Sequence, residues 1–182
     1  MKTNKYKTLV YAAGVFVIIT ILVLFNTNHG SQQTYSTFNS VILLISSYIA
    51  MIYDINTRKI PNKIVLVMIL IWVMIITAMM FIDTNRAITS LTDSIIGFSL
   101  GGGLFLLVYL LSKRGLGGGD VKFMAAAGLY LGFAGTIPTI LYGTVLAALT
   151  GLTLILLKKI DRKDTIPFAP FLFIGIMITL IV

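Results

Sequence analysis

Apolar residues run in long blocks along this chain, and short polar stretches break them. Seven such blocks stand out, at about 8–25, 39–55, 63–82, 94–112, 121–135, 137–157 and 167–182. Most approach the length that crosses a bilayer as a helix. A helix is the element expected, because it satisfies its own backbone hydrogen bonds where water is absent. The pattern predicts an all-α, polytopic membrane helix bundle of about seven transmembrane helices. The fifth and seventh blocks are short and need tilt or support from their neighbours. The first follows Lys2, Lys5 and Lys7, as a signal peptide does. It is longer than a usual signal core and no small-residue cleavage site follows in "FNTNHGSQQ", which predicts a retained anchor. The organisation expected is an anchor helix and external loop over 1–38 and a membrane-embedded domain over 39–182.

Composition agrees. The 182 residues are 58% hydrophobic and 11% charged, well short of the quarter or so that soluble domains carry. The net charge of +8 is explained by topology, so no nucleic acid partner is implied. Thirteen of the fourteen basic residues fall at the N-terminus and in alternate loops, around Arg58–Lys63, Lys113–Lys122 and Lys158–Lys163. The other loops hold only Arg86. By the positive-inside rule the N-terminus is cytoplasmic, and the loop 26–38 is external. The lipid bilayer is thus one partner; nothing in the sequence gives an oligomeric state. With no cysteine there is no disulfide and no Cys-built metal site, and the lone His29 sits in a polar loop. No metal or cofactor is expected. Gly97 and Gly101, Gly128 and Gly132, and Ala147 and Gly151 have the spacing of close helix packing.

All six acidic residues are Asp. Asp161 and Asp164 sit in the basic loop "KKIDRKD" and read as solvated charges. Asp83 closes one helix, and Asp93 is placed to cap the next. Asp54 and Asp120 differ. Asp54 ends the second apolar block and Asp120 opens the fifth, so the charge pattern puts both at the cytoplasmic end of the membrane. Taken singly, each has a plain structural reading. Asp120 suits a helix N-terminus, and Asp54 has Arg58 at i+4, on the same face if the helix continues that far. Gly117, Gly118 and Gly119 precede Asp120 and ask for more. They permit close backbone approach and positive φ. "GLGGGDVK" matches neither a P-loop nor the dinucleotide fingerprint. What remains is a glycine hinge that brings one carboxylate to another. Within the chain, Gly119→Val is expected to be severe and Gly101→Ala, in "LGGGLF", milder.

"YDINTRKIPN", "GGGDVK" and "IPFAPFLFIG", in that order, resemble the type IV prepilin leader peptidases and their archaeal preflagellin relatives. These are membrane aspartic proteases of the G-x-G-D kind. The resemblance covers roughly residues 45–182. It implies that Asp54 and Asp120 are the catalytic pair. Gly117 and Gly119 match the signature glycines, with Gly118 between them. Arg58, Pro61, Asn62 and Lys122 match the motif flanks, and Pro167 and Pro170 the terminal element. The implied substrate is a pilin-like precursor with a short basic leader and an apolar helix, cut at the cytoplasmic face of a prokaryotic plasma membrane. Longer members also carry a cytoplasmic, often Cys-bearing domain and methylate the new N-terminus. The loop here is Cys-free, so methyl transfer is not expected. Three other readings stay open, one of them a structural subunit of a secretion machine, in which neither Asp matters for catalysis. A presenilin or signal-peptide-peptidase type shares Y-D and G-x-G-D, although "PFAPF" lacks that group's P-A-L. A small transporter would use intramembrane acids for protons or cations, but nearer mid-membrane.

Overall fold

The computed structural model describes Gly14 and residues 34–112, 116–159, 161 and 166–182. Among these residues every regular element is a helix: α1 Thr34–Thr57, α2 Asn62–Ile82, α3 Thr84–Leu111, α4 Gly118–Leu156 and α5 Ala169–Ile181. The first four are long and apolar enough to cross a membrane, and α5 is a shorter apolar helix. This is a helical membrane bundle, with four such helices among the described residues where the apolar blocks suggest seven spans. Of the first block, 8–25, only Gly14 is described; the rest, the loop up to residue 33, and Lys113 and Arg114 lie outside the described residues.

Local chemistry sets the helix ends. α1 stops where Arg58 takes a left-handed backbone, φ 53°, and its N–H donates to Asp54 O at 2.8 Å. This is a common way to close a helix. Pro61 then caps α2 in an extended conformation, φ −64° and ψ 134°, close to the φ its ring imposes. Asp83 ends α2 and caps α3, accepting from Arg86 N–H at 3.1 Å and pairing with its Nε at 3.0 Å.

α3 starts at Thr84, ten residues before its apolar block. Its polar first turns line a cleft, so helix there carries no apolar signal. Asp93 consequently lies inside α3 and is not its cap. It caps something else: its Oδ1 accepts the N–H of Phe133 at 2.9 Å.

α4 takes in the blocks read as 121–135 and 137–157, and it breaks at Gly132, φ 61° and ψ −168°. That backbone is open to glycine and strained for other residues. The neighbours on each side of the break give its direction. Before it, Met124 lies against Gly101 and Gly128 against Gly97, leading away from Asp120 along α3. After it, Thr139 Oγ1 donates to Thr179 at 2.9 Å, and Gly143 lies against Leu172. α5 begins beside Asp54, so these contacts lead back toward the Asp54 end. The halves are therefore antiparallel, reversed at Gly132 and pinned by Asp93. Residues 118–131 would be only about 21 Å long as a helix. They are enclosed rather than lipid-facing: Phe123 to Leu129 are all buried.

Small residues make this enclosure possible. A Cβ on Gly97 would run into Gly128 O, and one on Gly101 would sit 2.7 Å from Met124 O. Gly101→Ala is thus not the mild change expected from sequence. Large apolar residues face outward instead: Leu66, Leu70 and Met74 on α2, and Leu104, Leu107 and Leu111 on α3 are exposed. Small residues at helix contacts with apolar residues outside suit a bundle whose solvent is lipid.

Candidate active site

Asp54 lies in the last turn of α1 and Asp120 is the third residue of α4, and their side chains are turned inward, 6% and 8% exposed. The chain segments that carry them touch: Ile60, six residues after Asp54, packs on Gly119, the residue before Asp120. Each is held by one oxygen. Asp54 Oδ2 accepts the N–H of Ala169 at 2.9 Å, and Phe168 N–H also faces it. This is the N-terminus of α5, where free N–H groups gather and favour an acidic partner. Asp120 Oδ2 reaches back to Gly117 N–H, at 3.2 Å, as an acid in the first turn does. Asp120 Oδ1 is buried and has no hydrogen-bond partner among the described residues. Such an atom is uncommon in a folded protein and is frequent where chemistry occurs.

The three glycines separate into two kinds. A Cβ on Gly117 would lie 2.8 Å from Asp120 Oδ2. One on Gly119 would lie 3.3 Å from both the Cβ and the backbone N of Ile60. One on Gly118 would meet nothing within 4 Å. A side chain at the first position would press on the Asp120 carboxyl, one at the third would be tight against Ile60, and the middle position is open. None uses positive φ: Gly117 is at −79°, and Gly132 alone among the described glycines is positive. The glycines serve close approach, not an unusual backbone.

The flanking residues also converge. Ile60, 7% exposed, lies between Arg58 and Pro61 and packs on Gly119. Lys122 Nζ donates to Asn62 Oδ1 at 3.3 Å. Arg58 does not share a helical face with Asp54, because α1 ends before it, and it is exposed. Pro167 and Pro170 bracket the α5 start that holds Asp54. Every described residue singled out for the site therefore lies on one of three strands of chain that meet here: 54–62, 117–122 and 167–170. Ala169 and Ile60 were not visible as site residues. Ala169 acts through its backbone, which leaves no mark in residue identity, but the two prolines do announce a helix start.

A cavity of about 670 Å³ lies elsewhere. Asn39, Asn85, Thr89, Asp93 and Tyr130 are among the residues lining it. These cluster around the Gly132 reversal, at the end of the bundle opposite Asp54 and Asp120.

Residues 40–152 match the model of the type IV leader peptidase family. The chain is 31% identical over 137 residues to the prepilin leader peptidase/N-methyltransferase of Escherichia coli, covering 71% of this chain and 56% of the relative. It is 28% identical over 141 residues to the Bacillus subtilis protein of the same name, covering 76% and 53%. With the Xanthomonas campestris protein of that name it shares 38% over 71 residues, covering 39% and 25%. The chain thus spans a quarter to about half of the length of these relatives. No solved structure matches it.

Proposed function

This chain belongs to the type IV leader peptidase family, and from that premise we propose that it is a membrane aspartic endopeptidase. It removes the short basic leader from pilin-like precursors at the cytoplasmic face. The observation that carries the reading is a pair of buried carboxyls on two touching chain segments, each accepting a backbone N–H.

Hydrolysis needs one group to take a proton and one to give it. Two close carboxyls sharing one proton supply both, and no metal is required. Asp54, fixed against the start of α5, takes a proton from water as the water oxygen attacks the scissile carbonyl. Asp120, with Oδ1 free, donates to the carbonyl oxygen as the tetrahedral intermediate forms. Collapse of that intermediate breaks the C–N bond: Asp54 passes the proton it took from water to the leaving nitrogen, and the hydroxyl formed from the carbonyl oxygen returns its proton to Asp120. The leader departs with a new carboxylate. The anchors keep both side chains in place, which supports attack from one fixed geometry.

The cytoplasmic placement rests on charge. Arg58, Lys59, Lys63 and Lys122 lie on the chain segments that carry or follow the two carboxyls, whereas Arg86 lines the cleft. Lysine and arginine collect on the cytoplasmic side. A cytoplasmic N-terminus and about seven crossings, counting both halves of α4, complete the proposal. The loop 26–38 holds no cysteine, and the proposal is for peptidase activity without methyl transfer. The test is co-expression with a pilin-like precursor and mass spectrometry of the product. A single cut between leader and apolar helix, with an unmethylated new N-terminus, is expected. An uncut precursor refutes the peptidase reading, and a methylated product refutes only its second part.

A further inference from the structure

We infer that Lys122 and Asn62 are positioning residues: their hydrogen bond clamps the chain turn that carries Asp54 onto the helix that carries Asp120. This deepens the peptidase reading and rests on it for its kinetic consequence.

The argument starts from direction. Successive helical residues turn by about 100°, so Lys122 leaves α4 on the side away from Asp120. Its ammonium is directed to Asn62 Oδ1, 3.3 Å away and 60 residues back in sequence. Asn62 is the first residue of α2, and Pro61 before it has a fixed φ. The amide is therefore coupled stiffly to Ile60 and the left-handed turn at Arg58 that ends α1. Only four residues separate that turn from Asp54.

A second contact lies beside the first. Ile60 backbone and side chain rest on Gly119, the residue before Asp120. Contact with a glycine fixes a distance but leaves the two segments free to slide and rotate. A directed hydrogen bond at Lys122, three residues on, removes that freedom. Together the contacts set the depth and rotation of Asp54 relative to Asp120. Neither Lys122 nor Asn62 needs to touch substrate to do this.

The experiment is a double-mutant cycle on the full chain, with K122M, N62L and the pair, read in two ways: kcat and KM on a pilin-like precursor, and thermal midpoint in detergent. Each single variant should lower kcat roughly three- to tenfold, the span that an ordinary hydrogen bond carries, with KM within about twofold. The double variant should fall no further, because one interaction is lost once. N62D, which keeps an acceptor for the ammonium, should restore kcat relative to N62L. Thermal midpoints should show the same non-additivity. Additive losses in kcat, or a raised KM for K122M that N62L does not share, would overturn the clamp; the second result would put Lys122 on the substrate. If the wild-type chain cuts no precursor, the peptidase reading fails, and the thermal cycle still decides whether the clamp exists.

Discussion

Replacing Gly101 with Ala tests how the bundle holds Asp120. The added Cβ would sit 2.7 Å from Met124 O and 3.3 Å from Met124 C. Ordinary contact begins at 3.4 Å, and the obstacle is helix backbone, which cannot rotate away. α3 and α4 must separate by roughly 0.7 Å at this point, and overpacking of this kind typically costs about 1–3 kcal/mol. For a chain of this size that is a fall in Tm of about 2–10 °C. The functional effect is expected to be larger in proportion. Met124 stands one turn from Asp120, so the displacement passes directly to the carboxyl. A misplacement near 1 Å costs roughly a hundredfold in rate, which sets the expected loss between about tenfold and a hundredfold. Gly103→Ala is the control. Nothing lies within 4 Å of its Cβ. A helical Gly→Ala change in open space should stabilise by about 0.5–1 kcal/mol. The assay is precursor cleavage in proteoliposomes beside thermal melts in detergent. If Gly101→Ala melts and cleaves like wild type, the close α3–α4 contact does not position the site.

Four further outcomes follow from the same geometry. Gly118→Ala should cleave near the normal rate, whereas Gly117→Ala and Gly119→Ala should lose most activity; equal effects at all three would remove the distinction between closed and open positions. Asp93→Ala should destabilise by about 1 kcal/mol, the usual worth of a helix cap, and Asp93→Asn by less, read as thermal midpoints. Gly132→Ala should be worse than either, since its Cβ would overlap the Asp93 carboxyl and its φ is left-handed. A cysteine at Lys59, which is exposed where Ile60 is not, should resist an impermeant thiol reagent in intact cells and react in opened ones; labelling from outside would invert the topology.

Much of the fold was readable because lipid as solvent demands apolar length. The blocks 39–55 and 63–82 fall within two or three residues of α1 and α2 at most ends. The block at 94–112 lost its first ten residues, because Thr84 to Asp93 are helical yet polar toward the cleft, and hydropathy sees only the lipid-facing part. The reversal within α4 was expected near residue 136 and lies at Gly132. Its signals, a glycine with left-handed φ and a remote Asp cap, are tertiary. In the candidate site, Asp54, Asp120, Gly117 and Gly119 were singled out through motif residues whose spacing survives in sequence. The glycines offered both close approach and positive φ, and only the first is used; close approach to Ile60 and to the Asp120 carboxyl cannot be told from positive φ without the fold. Arg58 was given the face of Asp54 only if the helix continued that far, and its own left-handed backbone ends the helix first.

The central claim is that Asp54 and Asp120 form the catalytic pair. Asp54→Asn and Asp120→Asn keep side-chain shape and retain an oxygen to accept from Ala169 or Gly117 N–H, but neither amide can exchange the proton that hydrolysis requires. The most direct measurement is the cleavage rate of a pilin-like precursor by each variant, purified at wild-type yield and thermal midpoint. Loss of detectable cleavage in both, with the fold intact, is the predicted result. Cleavage by either variant at the wild-type rate would contradict it.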